Sequence, residues 1–294
     1  MTSFLFKTVF RLLSSLPLSW LHGLGTLLGR VTFIMSKQYA TRTEENLRLA
    51  HLATDEKHYA ALINRTIAEA GKSIAELPWI WGRPFEQVCA AVQDCQGWEH
   101  VEAARAQGKG IIFLTPHWGC FEITSLYIAQ HLPLTNLYSS PKREWLEDVM
   151  LGGRKRGLAR LATADLSGVR LLFKALKRGE AIGLLPDQVP SQGEGEWVNF
   201  FGRPAYTMTL SGRLAESSGA AVLLVYAERL PRGKGYRLRF EPLPLDFSKS
   251  VPLQINAALE RVIAISPAQY LWSYNRYKIP PGVQAPDTVK VQAC

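Results

Sequence analysis

With 294 residues, of which 47% are hydrophobic and 20% charged, the chain has the composition of a globular protein and the length to bury one large core or two modest ones. This composition excludes a disordered or fibrous chain. The formal net charge of +9 indicates an anionic partner, and nucleic acid, an anionic membrane surface and an acidic protein are equal candidates at this level.

The cysteines and histidines show no metal-binding spacing. There is no C-x2-C pair and no H-x3-H pair among Cys89, Cys95, Cys120, Cys294 and the six histidines. The sequence therefore predicts neither a zinc site nor a disulfide framework, and it indicates a reducing compartment. We expect a mechanism without a metal.

The amino-terminal segment is unusually apolar. Residues 12–29 contain no Lys, Arg, Asp or Glu, while Lys7, Arg11 and Arg30 flank them. The run is borderline for a spanning helix, which needs about 20 mostly apolar residues, and no small-residue cleavage site follows it. We expect residues 1–36 to form a helical membrane anchor that lies in the interface, with residues 37–294 as a separate domain. A full span and a buried helix of a soluble core are the alternatives.

The rest of the chain predicts an α/β fold. Residues 40–85 have a helical pattern, and from about residue 97 apolar strands alternate with helices. The predicted strands cover 111–115, 134–139, 181–185, 221–226 and 236–240, and predicted helices include 168–178, 207–218 and 252–265. No internal repeat or low-complexity linker interrupts this alternation.

The first chemical motif follows the strand at 111–115. Pro116 ends the strand, and His117 and Glu122 come next, five positions apart. On one straight helix such a pair points about 140° apart, so the side chains meet only if His117 lies in the loop and Glu122 in the helix. A carboxylate that holds one imidazole nitrogen leaves the other free to accept a proton from a hydroxyl. The spacing thus permits a general base, with Glu122 as the group that orients His117.

Two further groups of residues have candidate roles. Asp187 and Gln188 follow the strand at 181–185 through Pro186, as His117 follows Pro116. Further on, pattern alone assigns Phe200 and Phe201 to a local core.

A basic run, 154–156, has Lys142, Arg143 and Arg160 nearby. Such a run is usually a solvated face.

Together these blocks resemble the late acyltransferases of lipid A biosynthesis, the lauroyl and myristoyl transferase family, within the His-x4-Asp/Glu glycerolipid acyltransferase superfamily. The matching strings are Pro116 to Glu122, Pro186-Asp187-Gln188, Phe200 to Thr207 and the carboxy-terminal 267–278, so the resemblance covers about residues 5–282. It implies a single α/β domain with a mixed β-sheet flanked by helices, similar to glycerolipid acyltransferases.

The resemblance also implies a reaction. An acyl chain would pass from acyl carrier protein to a hydroxyl of a lipid A precursor bearing Kdo sugars, at the cytoplasmic side of the bacterial inner membrane, without cofactor or nucleic acid.

His117 and Glu122 would be catalytic. Arg154 matches the family's arginine, which would stabilise an oxyanion or bind a phosphate, and Asp187 with Gln188 would shape the site. The loop of Phe200 and Phe201 would lie beside the acyl chain. The other basic residues would meet the lipid's phosphates or the acidic face of the carrier protein.

This sequence departs from the family at several positions. Val189 stands where a second Asp is common, Trp197 and Asn199 stand in the run before Phe200, and Cys120 stands where Asn is frequent. A thiol three residues from His117 makes an acyl-thioester nucleophile an alternative, although a buried cysteine is more often an inert packing residue.

Three other readings compete with lipid A acylation. A related acyltransferase would act on another membrane glycolipid or on a lysophospholipid. A serine hydrolase is disfavoured because the chain has no G-x-S-x-G elbow. A non-catalytic protein that binds nucleic acid or anionic lipid has only the positive charge in its favour.

Overall fold

The computed structural model describes residues 2–141 and 144–286. Three residues named above, Lys142, Arg143 and Cys294, lie outside these ranges. The helices are α1 (Thr2–Ser15), α2 (Leu18–Met35), α3 (Lys37–Leu49), α4 (Glu56–Ala75), α5 (Leu77–Gly82), α6 (Phe85–Cys89), α7 (Trp98–Ala106), α8 (Phe121–His131), α9 (Glu144–Arg154), α10 (Leu166–Lys177), α11 (Leu210–Ser218) and α12 (Val251–Ile265). The strands are β1 (Val92–Gln96), β2 (Ile111–Leu114), β3 (Leu134–Tyr138), β4 (Ala159–Thr163), β5 (Ala181–Leu184), β6 (Gly195–Phe200), β7 (Arg203–Met208), β8 (Ala221–Arg229) and β9 (Tyr236–Pro242).

Seven strands form a mixed sheet in the order β1-β9-β8-β2-β5-β3-β4. The strands from β8 to β4 run parallel, whereas β9 pairs antiparallel with β8 and parallel with β1. β6 and β7 make a separate antiparallel hairpin. The expected single α/β domain with a mixed sheet flanked by helices is confirmed.

Helices cover both faces of the sheet, as the uninterrupted apolar strands require. Along β2 every residue is buried, and successive side chains belong to two different core clusters on opposite faces. One cluster contains side chains of α10, α11 and α12, and the other contains side chains of α7 and α8. A parallel strand buried on both faces reads as a continuous apolar run for this reason.

The predicted apolar stretch at residues 12–29 is split between two helices at Pro17. α2 packs along α4, where Gly25 and Gly29 meet Gly71 so closely that a Cβ on Gly71 would lie 1.9 Å from the carbonyl oxygen of Gly25. Only glycine permits this approach of two helix backbones. Within residues 2–141 and 144–286, no helix has both the length and the apolarity needed to cross a bilayer.

The outward side of α1 and α2 remains apolar. The exposed large apolar side chains there reach 69% exposure at Trp20 and 82% at Ile34; the others are Val9, Leu12, Leu24, Leu27, Leu28, Val31 and Met35. A contiguous group of this kind is a feature of interaction surfaces.

Candidate active site

The parallel register of β2 and β5 brings the two proline-led motifs together. Leu114 pairs with Leu184, and His117 and Asp187 each follow three residues later. The carboxyl ends of neighbouring parallel strands are where α/β proteins place their functional side chains. The two motifs, 70 residues apart in sequence, therefore meet at one edge of the sheet.

Asp187 is the carboxylate that orients His117. Its Oδ1 lies 2.8 Å from the imidazole Nδ1, and its Oδ2 accepts the backbone N–H of His117 at 2.8 Å. Burial raises the pKa of this carboxyl, but the facing imidazole and its hydrogen bonds outweigh burial and hold the pKa of Asp187 below its usual value. The prediction that Glu122 holds the imidazole is wrong, because the register of two strands, not spacing along one segment, selects the partner.

The second imidazole nitrogen faces the cavity. With the Nδ1 proton donated to Asp187, Nε2 of His117 carries a lone pair, and Gln188 donates to it through Nε2 at 3.1 Å. An acceptor hydroxyl that replaced the Gln188 amide would donate its proton to the same atom. This is the arrangement of an oriented general base.

Glu122 instead pairs with Arg154. The guanidinium donates from Nε to Oε2 at 2.9 Å and from Nη2 to Oε1, and Trp81 donates its indole N–H to Oε2 at 3.1 Å. Burial lowers the pKa of Arg154, yet the carboxylate outweighs it and raises that pKa above its usual value. The remaining nitrogen, Nη1, contacts only the weak acceptor Met150 Sδ among the described residues, so one donor direction of the guanidinium is available to a ligand.

The loop between His117 and Glu122 is fixed at its midpoint. Gly119 has φ +57°, and a Cβ there would lie 1.9 Å from the carbonyl oxygen of Ala227, so only glycine fits. Arg229 donates from Nη2 to the Gly119 carbonyl at 3.0 Å, and Gly119 N–H donates to the carbonyl of Gln269 at 3.0 Å.

Arg229 is itself held by a buried ion cluster. It donates to both carboxylate oxygens of Glu76, at 2.9 and 2.6 Å, and to Glu69 at 2.7 Å. Glu76 also accepts from Tyr236 at 3.0 Å and lies 3.1 Å from Nε2 of His22 on α2. Burial raises the pKa of Glu76, but Arg229 and His22 bring it down to about 2. The cluster therefore ties α2 and α4 to the loop that carries His117.

A cavity of about 640 Å³ lies beside His117 and the pair of Glu122 and Arg154. From α8 and α9 the lining includes the polar Glu122, Ser125 and Arg154 beside Phe121 and Met150. From β4, β5 and the beginnings of α10 and α11 it includes the apolar Leu161, Leu166, Val169, Leu184 and Leu210 together with the polar Asp165, Thr209 and Arg213. His117 and Gln188 also line the cavity, so one space presents the base, a cation and an apolar surface.

Sequence reasoning missed Asn136, which also lines the cavity. Its Nδ2 is buried and has no hydrogen-bond acceptor among the described residues, while its side chain lies over Gly183, where a Cβ would be 2.1 Å from Oδ1. A ligand oxygen placed there would satisfy this donor. In the sequence, this residue was marked only by being a polar Asn within the predicted strand at 134–139. In the sheet it pairs with Gly183 of the adjacent strand β5.

Phe200 and Phe201 do not line the cavity. Phe200 is 1% exposed and packs against Phe201, Tyr270 and Tyr277, at the turn of the β6–β7 hairpin. Aromatic side chains of the carboxy-terminal segment pack against both rings, and the implied position of this loop beside the acyl chain stays a prediction. Pattern alone had assigned them correctly to a local core.

Cys120 is poorly suited to nucleophilic attack. The side chain is 2% exposed, and burial, with the nearby Glu76 carboxylate adding to it, raises the pKa of the thiol well above its ordinary value. The thiolate is the reactive form of cysteine. A packing role is therefore favoured over covalent catalysis.

Comparison with known proteins identifies a family. The profile of a family described as bacterial lipid A biosynthesis acyltransferase matches residues 1–279. The chain is 27% identical to a lipid A biosynthesis lauroyltransferase of Escherichia coli (strain K12), covering 92% of this chain and 89% of that protein. It is 26% identical to a palmitoleoyltransferase of the same pathway and strain, with coverages of 90% and 87%.

A second type of relative matches over a shorter range. The chain is 25% identical to a phosphatidylinositol mannoside acyltransferase of Mycobacterium tuberculosis (strain CDC 1551 / Oshkosh), over 48% of this chain and 46% of that protein. The longer matches are those to proteins named for lipid A.

Proposed function

Because the chain belongs to the bacterial lipid A biosynthesis acyltransferase family and is an acyltransferase of lipopolysaccharide biosynthesis, we propose that it transfers a fatty acyl chain from acyl carrier protein to a hydroxyl of a Kdo-bearing lipid A precursor. The observation that carries this proposal is the His117 imidazole, held by Asp187 at Nδ1 and facing the cavity at Nε2.

The proposed reaction is direct transfer. Nε2 of His117 accepts the proton of the acceptor hydroxyl as its oxygen bonds to the thioester carbonyl carbon. The tetrahedral intermediate collapses by breaking the carbon–sulfur bond, and the departing thiolate takes the proton from the imidazole. Asp187 keeps Nδ1 protonated throughout and stabilises the transient imidazolium.

Glu122 and Arg154 act together in this scheme. The bidentate pair fixes the guanidinium at the cavity wall and leaves Nη1 free of a strong acceptor. A carbonyl oxyanion or a lipid phosphate is the anion that this donor would bind. The role of Glu122 is then to position Arg154, and Asp187 has the role that we first expected for Glu122.

We further propose that the protein works at the cytoplasmic surface of the bacterial inner membrane. The apolar outward side of α1 and α2 supports an interfacial anchor, with Lys7, Arg11 and Arg30 as flanking cations. Replacing Trp20, Leu27 and Ile34 together by Ser should reduce co-flotation with anionic vesicles. The matched control replaces the exposed Phe247, Leu253 and Ile279 by Ser, and equal losses in both variants would contradict the anchor.

The test of the activity is a transfer assay in detergent micelles with tetra-acylated, Kdo-bearing lipid A precursor and a series of acyl-acyl carrier proteins. Wild type should yield the acylated product, and His117→Ala should lose at least about 10²-fold in turnover while keeping its thermal transition. His100→Ala, a change at a half-buried histidine outside the cavity lining, is the control. An active His117→Ala variant would refute the base.

The alternative acceptor is another membrane glycolipid or a lysophospholipid, and the partial match to the mannoside acyltransferase is the observation in its favour. The same assay with phosphatidylinositol mannoside and with lysophospholipids separates the two. Transfer to these lipids and none to the lipid A precursor would establish the alternative.

A further inference from the structure

A row of side chains along α10 extends from the cavity to the protein surface. Leu166, Arg170, Lys174 and Lys177 recur at intervals of three and four residues, so they share one face of the helix. The opposite face is buried through Leu172, Ala175 and Leu176. The row spans about 16 Å, since a helix rises about 1.5 Å per residue.

This row is continuous with the cavity. Leu166 and Val169 line the cavity, and Val169 also begins a shallow groove lined by Arg170, Phe173, Lys174, Lys177 and Leu214. A molecule bound in the groove would therefore have the cavity at its end. Arg213 of α11 stands at the cavity wall and adds a further exposed cation.

The cations of the row differ from their neighbours in their pairing. Among the described residues, Arg170, Lys174, Lys177 and Arg213 form no ion pair, whereas Arg178 and Arg160 both pair with Glu180. Lys177 lies 4.7 Å from the Phe173 ring centre, a cation–π contact that leaves its charge exposed. Leu166 and Leu171 are 78% and 48% exposed beside them. Unpaired cations mixed with apolar side chains form a surface complementary to an acidic protein.

We propose that the basic face of α10, formed by Arg170, Lys174 and Lys177, docks the acidic acyl carrier protein and directs its acyl-bearing prosthetic arm past Leu166 into the cavity. This inference rests on the proposed function, which supplies the carrier protein as donor. The carrier would meet the three cations, and the acyl chain would enter along the apolar side chains Leu166 and Val169 of α10 and Leu210 of α11.

A membrane surface is the other anionic partner for such a face, and the fold favours the protein. α10 packs mainly on β3, β4, β5 and α11, at one end of the strand order. α2, with its exposed apolar residues, packs on α3, α4 and the turn between β8 and β9, beyond the other side of β2. The two surfaces thus belong to different parts of the molecule, and the cations of α10 remain available to a second partner.

The test compares a carrier-bound donor with a protein-free one. Wild type and the double variant Arg170→Glu/Lys174→Glu are assayed in micelles with acyl-acyl carrier protein and with the same acyl chain as a pantetheine thioester. We expect KM for the carrier-bound donor to rise roughly tenfold or more in the variant, with less dependence on salt than in wild type. Its kinetics with the pantetheine thioester should match those of wild type. The control, Arg65→Glu/Arg105→Glu, makes the same change of net charge at exposed sites on α4 and α7.

The outcomes are distinct. An unchanged KM for the carrier-bound donor, or an equal effect in the control, would overturn the docking proposal while leaving the activity established. Slower transfer from both donors together with weaker binding to anionic vesicles would assign the face to the membrane instead. Absence of transfer by wild type from any donor to any acceptor would reject the proposed function and the docking together.

Discussion

Asp187 binds His117 twice, once through the imidazole and once through the backbone amide, with both hydrogen bonds at 2.8 Å. One carboxylate therefore sets both the tautomer of the ring and the position of the residue that carries it. An exposed carboxylate could reorient between these donors, but Asp187 is 2% exposed.

Asp187→Asn should separate these two functions. The amide oxygen can still accept the His117 backbone N–H, but the amide nitrogen would donate to Nδ1 and force the proton onto Nε2. We expect turnover to fall about 10²- to 10⁴-fold with an unchanged thermal transition, because the base is then blocked. Gln188→Ala should lose less than about tenfold, since that side chain only occupies Nε2. Steady-state rates near wild type in Asp187→Asn would refute the orienting role.

The pair of Glu122 and Arg154 calls for a double-mutant design. Arg154→Met leaves a carboxylate whose side chain is 7% exposed without its cation, and we expect a loss of about 3–5 kcal/mol in the free energy of unfolding. Glu122→Gln/Arg154→Met removes both charges and should recover most of that stability. If the guanidinium binds an anion during transfer, the double variant stays inactive although it is folded. Denaturant unfolding and transfer rates together decide this, and an active double variant would show a purely structural pair.

Cys120→Ala tests covalent catalysis. We expect turnover within about threefold of wild type, because a buried thiol with a raised pKa is not the attacking group. The measurement is the transfer rate combined with a search for an acyl-enzyme by mass spectrometry after donor is added alone. An acylated Cys120 and an inactive Ala variant would reverse this conclusion.

The Glu76 carboxylate should make folding sensitive to acid. Its pKa is about 2 in the folded protein and 4.5 ordinarily, so its contribution to stability is complete above about pH 4.5 and is lost as the pH falls toward 2. The variant Glu76→Gln/Arg229→Met lacks both charges and should lose less stability over that pH range. Urea unfolding midpoints at several pH values measure this, and parallel curves for the two proteins would exclude Glu76 as the source.

Much of the sheet could be predicted from sequence because its central strands are short apolar runs. The predicted strand at 111–115 is β2, and the one at 181–185 is β5, each ending within one residue of its prediction. β1 and β4 were not predicted, since they are edge strands whose sequences, VQDCQ and ARLAT, lack a clear apolar pattern. The hairpin of β6 and β7 was not predicted either, since the resemblance placed Phe200 and Phe201 in a loop.

The sequence predicted which residues form most of the site, but it did not predict which carboxylate pairs with the imidazole. His117 and Asp187 were both singled out, yet the partner was sought five positions away along the chain. The signal for the observed pair was present, because Pro116-His117 and Pro186-Asp187 end two strands in the same way. What the sequence did not reveal was that these strands are adjacent and in register, since adjacency depends on contacts among distant residues.

The glycine contact between α2 and α4 has a consequence for any shortened form of this enzyme. Cutting the chain after Met35 would remove more than an apolar anchor: it would open the groove at Gly71 and take His22 away from the Glu76 carboxylate. Because Glu76 holds Arg229, and Arg229 donates to the Gly119 carbonyl, the loop that carries His117 would lose part of its support as well. Solubility is better sought by changing the outward side chains of α2 one at a time, which leaves the inner, glycine-bearing side in place.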